Sequence, residues 1–184
     1  DGWLKINPIS EEIVVTIVGD NNTTDYDGKE HSVSGFTANT EHALYNVNTD
    51  VKFDGTATAA RTDAGTTNMG LAKEQFSNTN GNFSNVTFEV TDGYQTINPI
   101  NVTVTIVGAN NTTIYDGKEH SVSGYTATAD SELYDVEKDF NFSGTAEAAR
   151  KNVGTVDMGL AADQFANINP NFDPVTFVVT DGSQ

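Results

Sequence analysis

The residues best suited to chemistry in this chain are Asp27, His31, Ser32 and Ser34, which recur as Asp116, His120, Ser121 and Ser123. They are the types of a Ser-His-Asp relay, in which a carboxylate orients an imidazole that activates a hydroxyl. Their spacing argues against that use. Residues four apart along a turn and a strand do not form such a relay, and no Gly-x-Ser-x-Gly elbow accompanies them. The expected roles are a turn aspartate, an edge histidine and strand serines. The chain is therefore read as non-catalytic, with no catalytic residue assigned.

Carboxylates are the next candidates, because 26 acidic side chains face only 9 basic ones. A calcium site wants roughly six to eight oxygen ligands, usually gathered on one loop. Asp20, Asp25 and Asp54 are replaced by Ala109, Ile114 and Ser143 in the matching second-half positions, so both halves could not share a site built on them. Asp27, Glu30, Asp50 and Asp92 do recur, as Asp116, Glu119, Asp139 and Asp181, but they are scattered along the chain. One arrangement stays open, an interdomain cation near Asp92 with Asn98 or Asn101. Solvated charge that keeps molecules apart is the preferred reading, with no metal and no cofactor expected. Lys29 and Lys118 are the lysines common to both halves. A lysine–asparagine cross-link would need one of them desolvated and deprotonated, and both sit beside a turn glycine where exposure is expected.

Tyr26, Phe36, Tyr45, Phe53, Phe76, Phe83 and Phe88 all have aromatic counterparts. A sugar platform would use such rings, but most occupy inward positions or turns, which suits core packing. Trp3 is the single tryptophan, aligned with Tyr94 and Ser183, and reads as a packing residue between repeats.

Composition narrows the class further. A net charge of -17 is unsuited to binding phosphate backbones. The absence of cysteine excludes disulfides, thiolate metal sites and a cysteine nucleophile. No apolar run approaches the roughly 18 residues of a membrane span, so no insertion is expected from this segment.

The elements that carry these residues come twice. Val-Thr-Ile-Val-Gly runs from Val15 and from Val104, and Tyr-Asp-Gly-Lys-Glu-His-Ser-Val-Ser-Gly from Tyr26 and from Tyr115. The Ala-Ala-Arg, Met-Gly-Leu-Ala and Val-Thr-Asp-Gly strings follow the same offset without a gap. The organisation expected is a tail of a preceding copy at 1–12, one repeat at 13–95, a linker at 96–101 and a second repeat at 102–184. The opening residues Asp1-Gly2-Trp3 and Ile6-Asn7-Pro8-Ile9 match Asp92-Gly93-Tyr94 and Ile97-Asn98-Pro99-Ile100, which suggests a piece of a longer tandem array.

Period-two alternation predicts strands at Ile13/Val15/Ile17, at Val86/Phe88/Val90 and at their counterparts. Phe140, Phe142, Ala146 and Ala148 predict a middle strand, and Val156, Met158 and Leu160 another inward set. Gly35 interrupts the alternation between Val33 and Phe36 and suggests a bulge. Tyr26-Asp27-Gly28 suggests a tight turn, and Leu71 to Phe76 at most one helical turn. The fold expected is all-β, as two tandem immunoglobulin-like β-sandwich domains. β-Grasp-like repeats are the alternative. Short, proline-stiffened connections predict that copies stack as a rod.

The ordered set VTIVG, YDGKEHSVSG, SGTAEAAR, GTxxMGL and NFxxVTFxVTDG resembles the YDG/MBG-type tandem repeats of large Gram-positive bacterial cell-surface proteins. The resemblance covers both copies. It implies stalk or adhesin-like modules on the extracellular cell surface, attached to the wall through regions outside this segment. It carries no catalytic or ligand residues. The function expected is a non-catalytic spacer that projects a distal region. The alternative is multivalent weak binding of a glycan or host protein by the repeats themselves. Expected partners are neighbouring repeats of the same chain, with the molecule itself a monomer.

Overall fold

The computed structural model describes all 184 residues. Strand accounts for 47% of the chain and helix for 5%, so the protein is nearly all β, built from several small sheets. It divides into two compact units. Unit 1 is Asp1–Asp25 with Lys29–Asn98, and unit 2 is Tyr26–Gly28 with Pro99–Gln184.

In unit 1 the strands are β1 (Ile13–Gly19), β2 (Asn21–Asp25), β3 (His31–Ser34), β4 (Phe36–Asn39), β5 (Val51–Phe53), β6 (Thr58–Arg61), β7 (Gly65–Asn68), β8 (Phe76–Asn78), β9 (Val86–Thr91) and β10 (Tyr94–Asn98). A single helical turn, α1 (Val47–Asp50), is capped by the Asn46 side chain. A 3-10 turn at Lys73–Gln75 falls inside the stretch expected to turn once. The β1 strand forms because Ile13, Val15 and Ile17 alternate with polar or outward residues. Each is at most 1% exposed, and the intervening positions stay open. It lies between β4, antiparallel, and β9, parallel. The remaining pairings are β3 with β6, β5 with β8, and β2–β10–β7.

Unit 2 repeats the plan with β11 (Ile100–Gly108), β12 (His120–Ser123), β13 (Tyr125–Ala129), β14 (Phe140–Phe142), β15 (Glu147–Arg150), β16 (Phe165–Asn167) and β17 (Phe172–Thr180). Here β11 lies between antiparallel β13 and parallel β17. The middle strand expected through Phe140–Ala148 is broken into β14 and β15, which pair with β16 and β12 respectively. Each unit has its own core. Ile13, Val15, Ile17, Tyr45, Phe76 and Phe83 centre the first; Val102, Val104, Ile106, Tyr134, Phe165 and Phe172 centre the second.

Two local expectations are modified. Gly35 (φ +110) separates β3 from β4, which join different sheets, so the glycine turns the chain from one sheet to the next. The stretch 96–101, expected as a linker, is strand at most of its positions, and the division between the units falls within it, between Asn98 and Pro99. Thr96, Ile97 and Asn98 belong to β10, the central strand of its sheet, and Ile100 and Asn101 already belong to β11. Ile97 is 1% exposed, so this short polar-looking segment holds a core position.

Candidate functional site

Most of the residues with chemical potential fasten loops. In unit 2 the His120 Nε2 lies 2.9 Å from Asp116 Oδ1, so two of the expected relay types do meet. The serines do not join them. His120 and Val122 point to one face of β12, and Ser121 and Ser123 to the other. The Asp116 carboxylate also accepts from the Lys118 backbone N–H at 2.9 Å, closing the turn at Gly117. That bond first, and His120 second, hold its carboxyl below the usual carboxylate value.

The other recurring acids behave similarly. Asp92 accepts from the backbone N–H groups of Gly70 and Leu71, each at 2.9 Å. Asp181 does the same for Gly159 and Leu160, also at 2.9 Å. Both carboxylate oxygens of Asp92 are thus engaged with one turn, while Asn98 donates to Asp25 at 3.2 Å. Asp50 accepts from Asn46 N–H at 3.0 Å and Asp139 from Asp135 N–H at 2.8 Å. No three His, Asp or Glu side chains gather in one place. Lys29 and Lys118 are exposed.

The Asp50 carboxyl lies below its ordinary value of 3.8, chiefly because the Asn46 N–H stabilises the charge, with the Asn80 and Thr49 side chains adding to it. A carboxyl lowered in the folded state stabilises the fold above the unfolded value, and that contribution is lost as pH falls through the folded one. Acid unfolding of the Asp50→Asn chain is therefore expected to be less steep than that of the parent below pH 3.8. Identical acid limbs would remove Asp50 from the account.

The aromatic residues mainly pack inward. Phe36, Phe53, Phe76 and Phe88 form a continuous ring cluster in unit 1, with centroids 4.9–5.9 Å apart. Tyr125, Phe142, Phe165 and Phe177 repeat it in unit 2. Tyr115, Trp3 and Tyr94 are the exceptions, 60%, 82% and 37% exposed.

Two constellations carry roles that spacing did not reveal. The Arg61 guanidinium donates to the carbonyls of Asp63 and Ala64 at 2.6 Å and of Thr66 at 3.3 Å. Arg150 holds Asn152, Val153 and Thr155 in the same way at 2.9–3.3 Å. The loop closes around Gly65 and Gly154, where a Cβ would meet the guanidinium at 2.3 Å. The recurrence of Ala-Ala-Arg with a glycine four residues on was the available signal. The second is an asparagine ladder, Asn78/Asn80/Asn82 and Asn167/Asn169/Asn171, in which the first two side chains of each trio accept from the backbone two residues ahead.

One groove lies in unit 2. It measures about 260 Å³ and runs between Asn111–Thr113 and the Arg150 loop, with Ser183 and Gln184 at one end and Tyr115 and His120 beside it. Its lining joins backbone and polar side chains to the exposed side chains of Tyr115 and Val153.

No protein-family model matches the chain, and no curated protein or solved structure matches it.

Proposed function

We propose that the two units are structural stalk repeats of a large bacterial cell-surface, adhesin-like protein, serving to hold a distal functional region away from the wall. The observation that carries this reading is the equivalent use of recurring polar residues in both copies. Asp92 and Asp181 clamp one turn, Arg61 and Arg150 another, and Tyr45 and Tyr134 a third. Side chains that would serve catalysis or ligand binding are occupied in holding each copy's own loops. Two separate cores, the second completed by Tyr26 against Phe172, suit length built by repetition. The order of motifs that resembles YDG/MBG-type repeats supports the surface location and the Gram-positive source. The surplus of negative charge suits an exposed array.

The pairing of the opening strand with the closing strand bears on the finer fold. Immunoglobulin-like sandwiches consist of two antiparallel sheets. Here β1 pairs parallel with β9 and β11 parallel with β17. This supports the β-grasp-like alternative, with the crossover helix reduced in unit 1 to the single turn α1.

The reading is tested by tethering chains of two, four and six units to a surface with a fluorescent reporter at the free end. The reporter's height is expected to rise with each added pair, and glycan arrays and matrix extracts are expected to leave the chain unbound. A height independent of unit number, or retention of a glycan or matrix protein, would replace the spacer by the binding alternative.

A further inference from the structure

Both units carry the asparagine ladder, but they differ at one covalent step within it. Asn80-Gly81-Asn82 in unit 1 aligns with Asn169-Pro170-Asn171 in unit 2, and Asn80-Gly81 is the single Asn-Gly step of the chain. The backbone around the step is held alike in both copies. Asn80 N–H donates to Asn78 Oδ1 at 3.0 Å, and the Asn80 carbonyl accepts from Asn78 Nδ2 at 3.0 Å and from Phe83 N–H at 3.2 Å. Asn169 is fixed in the same way by Asn167 and Phe172, at 2.9–3.2 Å.

In each turn the backbone N–H two residues on donates to the asparagine Oδ1, Asn82 to Asn80 and Asn171 to Asn169, both at 3.0 Å. That donor faces the oxygen that gains negative charge when the side-chain Cγ is attacked, so it favours attack in both copies. The adjacent nitrogen decides whether an attack can occur. Gly81 is exposed, no protein acceptor holds its N–H, and nothing stands within 4 Å of the place a Cβ would take. Pro170 has no N–H to lose, so its nitrogen cannot serve as the nucleophile.

We propose that Asn80 is a site of self-modification, at which the Gly81 amide nitrogen displaces ammonia from the side chain, and that Pro170 protects the same turn of unit 2. Solvent hydroxide takes the Gly81 N–H proton, and the nitrogen bonds to Asn80 Cγ. The Cγ–Nδ2 bond breaks, and that nitrogen takes a proton from water and leaves as ammonia. Water then opens the cyclic imide at either carbonyl, which leaves an aspartyl or an isoaspartyl residue at position 80. The change reaches beyond the turn, because the Asn80 side chain also supports the Asp50 carboxylate. A donor to that carboxylate is replaced by a second negative charge, which disfavours both. The isoaspartyl form also routes the backbone through the former side chain and displaces the carbonyl that Asn78 and Phe83 hold. Unit 1 therefore loosens with age around α1 and the loop between β8 and β9, and unit 2 does not.

The test incubates the whole chain at mildly alkaline pH beside a synthetic peptide of residues 77–84, and follows both by mass spectrometry of proteolytic fragments. Asn80 is expected to be the first asparagine of the chain to convert, with Asn169 intact. Gly81→Pro copies unit 2 and should abolish the conversion, while Pro170→Gly should confer it on Asn169. Gly81→Ala keeps the N–H but crowds the attack and narrows the backbone, and should slow conversion at least ~10-fold. The aged chain should show amide NMR shifts at 46–50 and 78–83 and a lower urea midpoint for unit 1, with 135–139 and 167–172 unmoved. Asn80 still intact once the peptide has fully converted would overturn the proposal, since the turn would then be holding the side chain away from the nitrogen. So would conversion that survives Gly81→Pro, an Asn169 that stays intact in the folded Pro170→Gly chain, or an aged unit 1 whose midpoint has not moved.

Discussion

Replacing Gly108 by alanine is expected to cost unit 2 about 3 kcal/mol, at the upper end of the range for overpacking. The position does not need left-handed backbone. Its constraint is space, for a Cβ there would stand 2.3 Å from the backbone N and 2.7 Å from the Cα of Gly182, with Leu160 at 3.0 Å on another side. Backbone cannot swing aside as a flexible side chain can, so the two chain segments must part. They are the ends of Val-Thr-Ile-Val-Gly and Val-Thr-Asp-Gly, which β11 and β17 bring together, so separation would loosen the parallel pair at the core. Gly19 and Gly93 make the same approach in unit 1, also at 2.3 Å. Gly19→Ala should therefore destabilise unit 1 to the same extent, and each variant should leave the other unit's core resonances unchanged. Gly81, with nothing within 4 Å of its Cβ position, is the control. Its alanine variant should stay within ~0.5 kcal/mol of the parent. Urea unfolding followed by amide NMR measures all three. A Gly108→Ala chain within ~1 kcal/mol of the parent would mean that the close approach gives way cheaply.

These glycines show where local pattern ends. Alternation located β1 and β11 because a buried face with period two is written in three successive branched residues: Ile13, Val15 and Ile17, then Val102, Val104 and Ile106. The partner was not legible. That β1 lies parallel to β9 depends on contacts more than seventy residues apart, which no window of sequence contains. Residues 96–98 were not legible as strand for a related reason. Only Ile97 is apolar and a proline follows, so the stretch reads as a connection, although flanking strands bury it on both sides. The aromatic set was legible as core because inward positions and rings coincide along β14, β16 and β17. The His120–Asp116 pair was adjacent enough to be noticed, and the same strand period that displays His120 turns the serines away from it. The Arg150 loop and the asparagine ladder lie in polar segments with no periodicity, where repetition between copies was the only trace of their roles.

The ladder leads to the second large effect, in Asn167→Asp. The Asn167 amide makes four hydrogen bonds. Its Nδ2 donates to the carbonyls of Asn169 at 2.9 Å and Phe172 at 3.0 Å, while its Oδ1 accepts from Asn169 N–H at 3.1 Å and the Tyr134 hydroxyl at 3.2 Å. Tyr134, 4% exposed, shares its single hydroxyl proton between that Oδ1 and the Asp139 carbonyl at 3.1 Å, and burial pushes its phenol up to about 12, so it remains a donor. Aspartate matches asparagine in shape but puts an acceptor where the amide had two donors. The carbonyls of Asn169 and Phe172 would then face a carboxylate oxygen, each losing its partner. At about 1–3 kcal/mol for each unsatisfied group, unit 2 should lose at least ~3 kcal/mol at pH 7. The sign of the pH dependence separates this cause from a general loosening. Facing two carbonyls, the new carboxyl should titrate above its unfolded value of about 3.9, since only the protonated form can donate. The penalty is complete above the folded value and is relieved as pH falls through it toward the unfolded one. The stability gap between variant and parent should therefore narrow from pH 7 to pH 5, and Asn167→Ala, which cannot titrate, should show a constant gap over the same range. A gap that stays flat in the aspartate chain would show that the two carbonyls find other donors and that the amide does not hold the loop between β16 and β17.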